Sequence, residues 1–141
     1  MSTDRLTIVL DRLLPGDPEA GWPAAGALGL ADKARQMAAE RGDADRLTDI
    51  LAALPADFDD ASEAGQVAAL KALEADRPDA FDLLILYAYG VYYTDPRVRD
   101  VVEARTGYPN RPPQPEGYEL PPFDERLLDK VKQRPPFWRR P

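Results

Sequence analysis

Apolar residues recur at helical spacing through most of the chain. Leu6, Val9, Leu10, Leu13 and Leu14 stand at i, i+3, i+4, i+7 and i+8 and predict a first helix with one buried face, stopped by Pro15-Gly16. A second helix is predicted over residues 28–41, with Leu30, Ala34 and Met37 on one face and Gly42 as its stop. Leu47, Ile50, Leu51 and Leu54 carry a third, and Ser62 is placed to cap a fourth that turns Val67, Leu70 and Leu73 inward. The fifth, from about Pro78, has little polar surface. Phe81, Leu84, Ile85, Ala88 and Tyr92 form one stripe, and Leu83, Leu86, Tyr87, Gly90 and Tyr93 fill much of the opposite side. Such a helix is either the centre of a bundle or half covered by a partner chain, and Gly90 in its interior points to a close neighbour.

A start signal follows at once: Asp95 as N-cap, Pro96 at the first helical position, Val98, Val101 and Val102 as an inward face and Gly107 as the stop. A last short helix is predicted over 124–133, capped by Asp124, with a hydrophobic staple from Phe123 to Leu128. No strand pattern and no internal repeat emerge. The expected fold is all-α: a small helical bundle over 1–107 and a proline-rich extended C-terminal arm over 108–141.

Composition separates these two regions. All six tyrosines lie between Tyr87 and Tyr118, and nine of the fifteen prolines stand from Pro109 onward. Pro112-Pro113 and Pro121-Pro122 favour polyproline II, which has no internal hydrogen bonds. Burying Phe137 and Trp138 would contribute roughly 8–12 kcal/mol gross at about 25 cal/mol per Å². Ordering each backbone residue costs about 1–2 kcal/mol, so two anchors cannot fix the whole arm. Its composition suits an arm that lies along a surface, either a partner's or its own bundle's. The long loop over 15–29, with three prolines and four glycines around Trp22, is also too long to be structureless. Trp22 is either a plug for the core or part of a contact surface.

The charge is asymmetric. The net value is −7, but residues 122–141 hold six Lys/Arg against three Asp/Glu, which is +3, leaving −10 over residues 1–121. An acidic body argues against a nucleic-acid surface, and the basic end could steer towards an acidic groove. There is no cysteine and no histidine, so disulfides, thiolate nucleophiles and imidazole acid–base chemistry are excluded. Asp57, Asp59 and Asp60 lack the spacing, the central Gly and the closing Glu of a calcium loop. The longest apolar run, over 83–93, is 11 residues, short of the roughly 20 needed to cross a bilayer. The start of the chain shows no secretory pattern, so the expected location is cytoplasmic, without direct membrane insertion.

Several motifs carry a family likeness. The run Tyr92-Tyr93-Thr94-Asp95-Pro96-Arg97-Val98, then Gly107-Tyr108-Pro109, then Pro115-Glu116-Gly117-Tyr118, is similar to the C-terminal signature of the gluconate 2-dehydrogenase subunit 3 family. Leu10-Asp11-Arg12-Leu13-Leu14-Pro15-Gly16 resembles the opening helix and turn of the same family. The resemblance implies a non-catalytic small subunit. Its partner would be a large FAD-dependent flavoprotein of the glucose–methanol–choline type that oxidises a sugar, sugar acid or polyol. No cofactor is expected in this chain itself. The twin-arginine leader of many members is not seen before the first helix.

The candidate partner-binding residues are Trp22, Tyr92, Tyr93, Asp95, Arg97, Tyr108, Tyr118, Phe137 and Trp138. Each of Tyr92, Tyr93, Tyr108 and Tyr118 either presents its ring and hydroxyl to a partner or buries them locally. The alternative is a small stand-alone enzyme acting on a sugar derivative through carboxylates and tyrosines such as Asp95 and Tyr93. A free adaptor for proline-recognition domains, through Arg111-Pro112-Pro113 or Arg134-Pro135-Pro136, is a third possibility.

Overall fold

Asp4 opens the first helix: its carboxylate accepts from the Thr7 backbone N–H at 3.3 Å, satisfying one of the donors that a helix start leaves free. A computed structural model describes residues 4–108 and 122–134. The chain divides into two compact units, Met1–Asn110 and Arg111–Pro141. The first unit contains α1 (Arg5–Leu13), α2 (Ala31–Glu40), α3 (Ala44–Ala52), α4 (Glu63–Asp76), α5 (Pro78–Tyr93) and α6 (Pro96–Thr106). The fold is all-α. Among the described residues the β geometry is one isolated bridge between Asp17 and Trp22.

The weakly polar fifth helix is the centre of this bundle. α5 packs against α1, α2, α3, α4 and α6 and buries Ala80, Leu83, Leu84, Tyr87, Ala88, Val91 and Tyr92. Fully burying a side chain such as Leu84 contributes about 1.5–3 kcal/mol, so this one helix organises much of the core. Gly90 marks the close neighbour its position suggested. A Cβ there would lie 3.1 Å from Met37 Sδ, so α2 is seated against α5 where α5 has no side chain.

Local signals placed most helix ends. Ser62 Oγ accepts from Gly65 N–H at 3.3 Å at the start of α4, Asp95 caps α6, and Gly107 ends it in the left-handed conformation. The second helix begins later than expected, at Ala31, because residues 26–28 form a separate 3-10 turn closed by Gly29. Val67 is exposed rather than inward. Gln66 takes the inner position instead, donating to the Phe58 carbonyl at 3.2 Å and accepting from Arg12 Nε at 2.9 Å. Phe58, in the midst of the acidic loop, is fully buried. Of the three valines expected to face inward from α6, only Val98 is buried.

The loop over 15–29 is folded onto the bundle. Asp17 and Trp22 exchange backbone hydrogen bonds of 2.9 and 2.8 Å, and Ala25 N–H reaches the Leu14 carbonyl at 2.9 Å. Gly16 makes that path available. Its φ is +78°, and a Cβ would stand 2.6 Å from Ala24 N. In the second unit a 3-10 turn, Glu125–Leu128, runs into α7 (Asp129–Lys132), with Asp124 accepting from Arg126 N–H at 3.1 Å. The expected single helix over 124–133 is therefore part 3-10 and part α. Phe123, Leu127, Leu128 and Val131 are exposed. No helix among the described residues is long and apolar enough to cross a membrane.

Candidate interaction surface

α5 sorts its tyrosines by face. Tyr87 and Tyr92 point into the bundle and are buried, while Tyr89 and Tyr93 are 46% and 45% exposed, together with Leu86 at 46%. Leu86, Tyr89 and Tyr93 fall at i, i+3 and i+7, so they form one apolar stripe on the outer face of an otherwise enclosed helix. The rings of Tyr89 and Tyr93 meet edge to face at 5.7 Å, and those of Tyr93 and Tyr92 at 5.1 Å. Edge-to-face contacts of this kind hold rings in place beyond their area of burial. The outer tyrosines are thus a preset surface, anchored to the core through Tyr92.

The floor beside this stripe is a clasp. The Tyr92 hydroxyl donates to the Pro23 carbonyl at 2.7 Å, Arg97 Nη2 to the Leu28 carbonyl at 3.0 Å, and Arg105 Nε to the Ala20 carbonyl at 2.9 Å. Three side chains from α5 and α6 therefore hold carbonyls along the 15–29 loop, where regular structure would otherwise have supplied the donors. Trp22 is half-buried against the core within this loop. Burial pushes the Tyr92 phenol above its ordinary pKa, with Tyr93 beside it adding to the effect.

Asp95 orients the clasp. Its carboxylate, 6% exposed, caps α6 by accepting from Arg97 N–H at 3.0 Å and binds the same residue's guanidinium through two bonds of 2.9 Å. The Arg97 hydrogen bonds hold the Asp95 carboxyl below the usual carboxylate range, outweighing burial. An ionised carboxylate already occupied by a cap and an arginine fork has little capacity left to move protons at neutral pH. Asp43 and Tyr87 form a second internal pair, with the Tyr87 hydroxyl 2.7 Å from Asp43 Oδ2. That bond and Arg46 lower the Asp43 carboxyl, while burial and then Asp43 raise the Tyr87 phenol.

The structure brings Trp22, Tyr92, Tyr93, Asp95 and Arg97 into one region of α5, α6 and the loop they clasp. Tyr92 and Asp95 are buried in its interior, Tyr92 taking the second of the two alternatives its position offered, and both support the residues that are exposed. Tyr93 and Arg97 reach the surface. Tyr108 is exposed just beyond α6, its N–H on Thr106 Oγ1 at 3.1 Å. Tyr118, Phe137 and Trp138 lie outside the described residues. Leu86, Tyr89 and Arg105 were not among the candidates. The first two were discoverable, because Asp79 and Asp82 continue their three-and-four spacing and mark that face as the wet one.

A separate cleft of about 400 Å³ is lined by Arg46, Asp49, Asp76, Arg77 and Asp79 with Ile50, Pro78 and Ala80. None of the candidate residues that the structure describes lines it. No group of three or more carboxylates among the described residues is arranged to hold a metal ion. No protein-family model matches the chain, and no curated protein or solved structure matches it either.

Proposed function

We propose that this chain is a non-catalytic small subunit that binds and stabilises a large FAD-dependent oxidoreductase of the glucose–methanol–choline type, acting on a sugar, sugar acid or polyol. The observation that carries the reading is the exposed Leu86, Tyr89 and Tyr93 stripe on the central helix. Tyrosine is enriched where protein surfaces meet, because its ring supplies apolar area and its hydroxyl a polar contact. The resemblance of the motifs around Tyr93 and Tyr108 to gluconate 2-dehydrogenase subunit 3 gives the partner its class. The chain has neither Cys nor His, and the acid–base candidate Asp95 is held by Arg97, which favours a binding role over a stand-alone carboxylate enzyme.

Binding proceeds by packing of the α5 stripe on the flavoprotein. The clasp keeps Tyr92, and with it Tyr93, fixed before contact, which lowers the ordering cost of association. FAD resides in the partner, and this chain supplies no group to the chemistry. The tagged chain, purified from its native cell, is expected to bring down a flavoprotein in fixed ratio, seen by mass spectrometry and by flavin absorption in the visible. A colourless chain recovered alone would contradict the proposal, and turnover of sugar derivatives by that chain, lost in Tyr93→Phe or Asp95→Asn, would establish the enzyme alternative instead.

A further inference from the structure

The exposed face of α5 extends beyond its aromatic residues. Positions 79, 82, 86, 89 and 93 follow at spacings of four and three, the pattern of a helix-packing seam, and all five are exposed. Asp79 and Asp82 make its N-terminal end acidic, and Leu86, Tyr89 and Tyr93 make the rest apolar. Neither aspartate side chain has a hydrogen-bond or ion-pair partner among the described residues. The second unit carries the converse arrangement. Phe123, Leu127 and Val131 are 64%, 70% and 57% exposed, and beyond Val131 the same segment ends in the basic residues Lys132 and Arg134. Read in opposite directions, one surface runs from acidic to apolar and the other from basic to apolar.

We infer that these surfaces are the two halves of one interface between two copies of this chain. Residues 123–134 of each copy lie antiparallel along α5 of the other, with Lys132 and Arg134 at its acidic end, beside Asp82 and towards Asp79. Phe123, Leu127 and Val131 cover Leu86, Tyr89 and Tyr93. Because both halves are carried by one chain, the exchange is reciprocal and closes as a two-fold dimer. Area favours this over a single contact. One such contact buries on the order of 600 Å², below the roughly 1,200 Å² of a stable interface, and the reciprocal pair reaches it. The dimer is a state of the free chain and does not depend on the partner class proposed above. Since it covers the same stripe, dimer and heteromeric complex exclude one another.

Sedimentation equilibrium of the purified full-length chain tests this. The wild-type chain is expected to dimerise reversibly, and Asp79→Lys/Asp82→Lys and Lys132→Glu/Arg134→Glu are each expected to weaken the dimer at least about tenfold by setting like charges opposite one another. Mixing the two variants sets the two altered surfaces against one another at one contact and the two unaltered surfaces at the other, so both contacts are complementary and the mixture is expected to dimerise as the wild type does. Leu127→Ser/Val131→Ser, at exposed positions outside the bundle, is expected to give a monomer with unchanged helical circular dichroism. A wild-type chain that stays monomeric at about 100 µM, a dimer indifferent to these changes, or variants that fail to rescue one another on mixing would each overturn the inference.

Discussion

Within seven residues of α5, Tyr87 and Tyr92 are locked inside the bundle while Tyr89 and Tyr93 stand in water. The inner pair each has a fixed acceptor, Asp43 for one and the Pro23 carbonyl for the other, at 2.7 Å in both cases. Rings can be buried only if their hydroxyls are satisfied, and these two bonds tie α5 to the start of α3 and to the 15–29 loop. The outer pair has ring contacts along its own helix instead. One residue type thus performs two tasks: the inner tyrosines set the shape of the bundle, and the outer ones remain available to something else.

Truncation separates the two faces most sharply. Tyr87→Ala or Tyr92→Ala is expected to cost roughly 3–5 kcal/mol through the cavity left behind, measured by chemical denaturation. Tyr89→Ala should stay within about 0.5 kcal/mol of the wild type. Equal losses on both faces would show that the outer ring is structural after all. The next largest effect belongs to the loop beneath the clasp. Gly16→Ala puts a side chain at φ +78° and into the 22–24 backbone, for an expected loss of about 2 kcal/mol, visible as a lowered Tm.

Asp95→Ala removes the cap of α6 and frees Arg97 from its fork, with an expected cost of about 1 kcal/mol. Asp95→Asn, which keeps a capping oxygen, should recover part of that. The pH dependence follows from the same groups. Asp4, Asp43 and Asp95 are all held below the ordinary carboxylate value, so the folded state binds their protons less readily than the unfolded state does. Their contribution is complete above about pH 4 and is lost as pH falls through the lower folded values. Tyr87 and Tyr92 act in the opposite direction: their raised pKa favours the neutral form in the folded state, so stability declines as pH rises past about 10. Thermal melts from pH 2 to 11 should give a plateau with these two flanks. An acid flank unchanged in Asp95→Asn would remove that residue from the account.

What could be read from the sequence was what neighbours along the chain decide. Ser62, Asp95 and Gly107 announce helix ends through bonds that span two to four residues, and the leucines of α1 and α3 declare their buried face by spacing. What escaped depends on distant partners. Arg97 finds its carbonyl 69 residues away and Arg105 finds its own 85 residues away, and no local pattern encodes either contact. Phe58 sits among aspartates in the sequence yet is buried, with its carbonyl held by Gln66 and the Arg5 guanidinium 6.0 Å from its ring. Val67 and Gln66 are adjacent on α4, and Gln66 shares the buried face of Leu70 and Leu73 at i, i+4 and i+7, with its amide on the Phe58 carbonyl. The outer stripe of α5 lay between these cases: its aspartates gave the wet face away, but hydrophobicity alone made every side of the helix look covered.

Capture of the flavoprotein by the wild-type chain and by Leu86→Ser/Tyr89→Ser/Tyr93→Ser, purified side by side from the native cell, tests the central claim most directly. The account predicts a yellow eluate with the flavoprotein in fixed ratio for the wild type, and a colourless eluate for the variant, whose Tm remains within a few degrees of the wild type. A variant that is equally stable and equally yellow would contradict it.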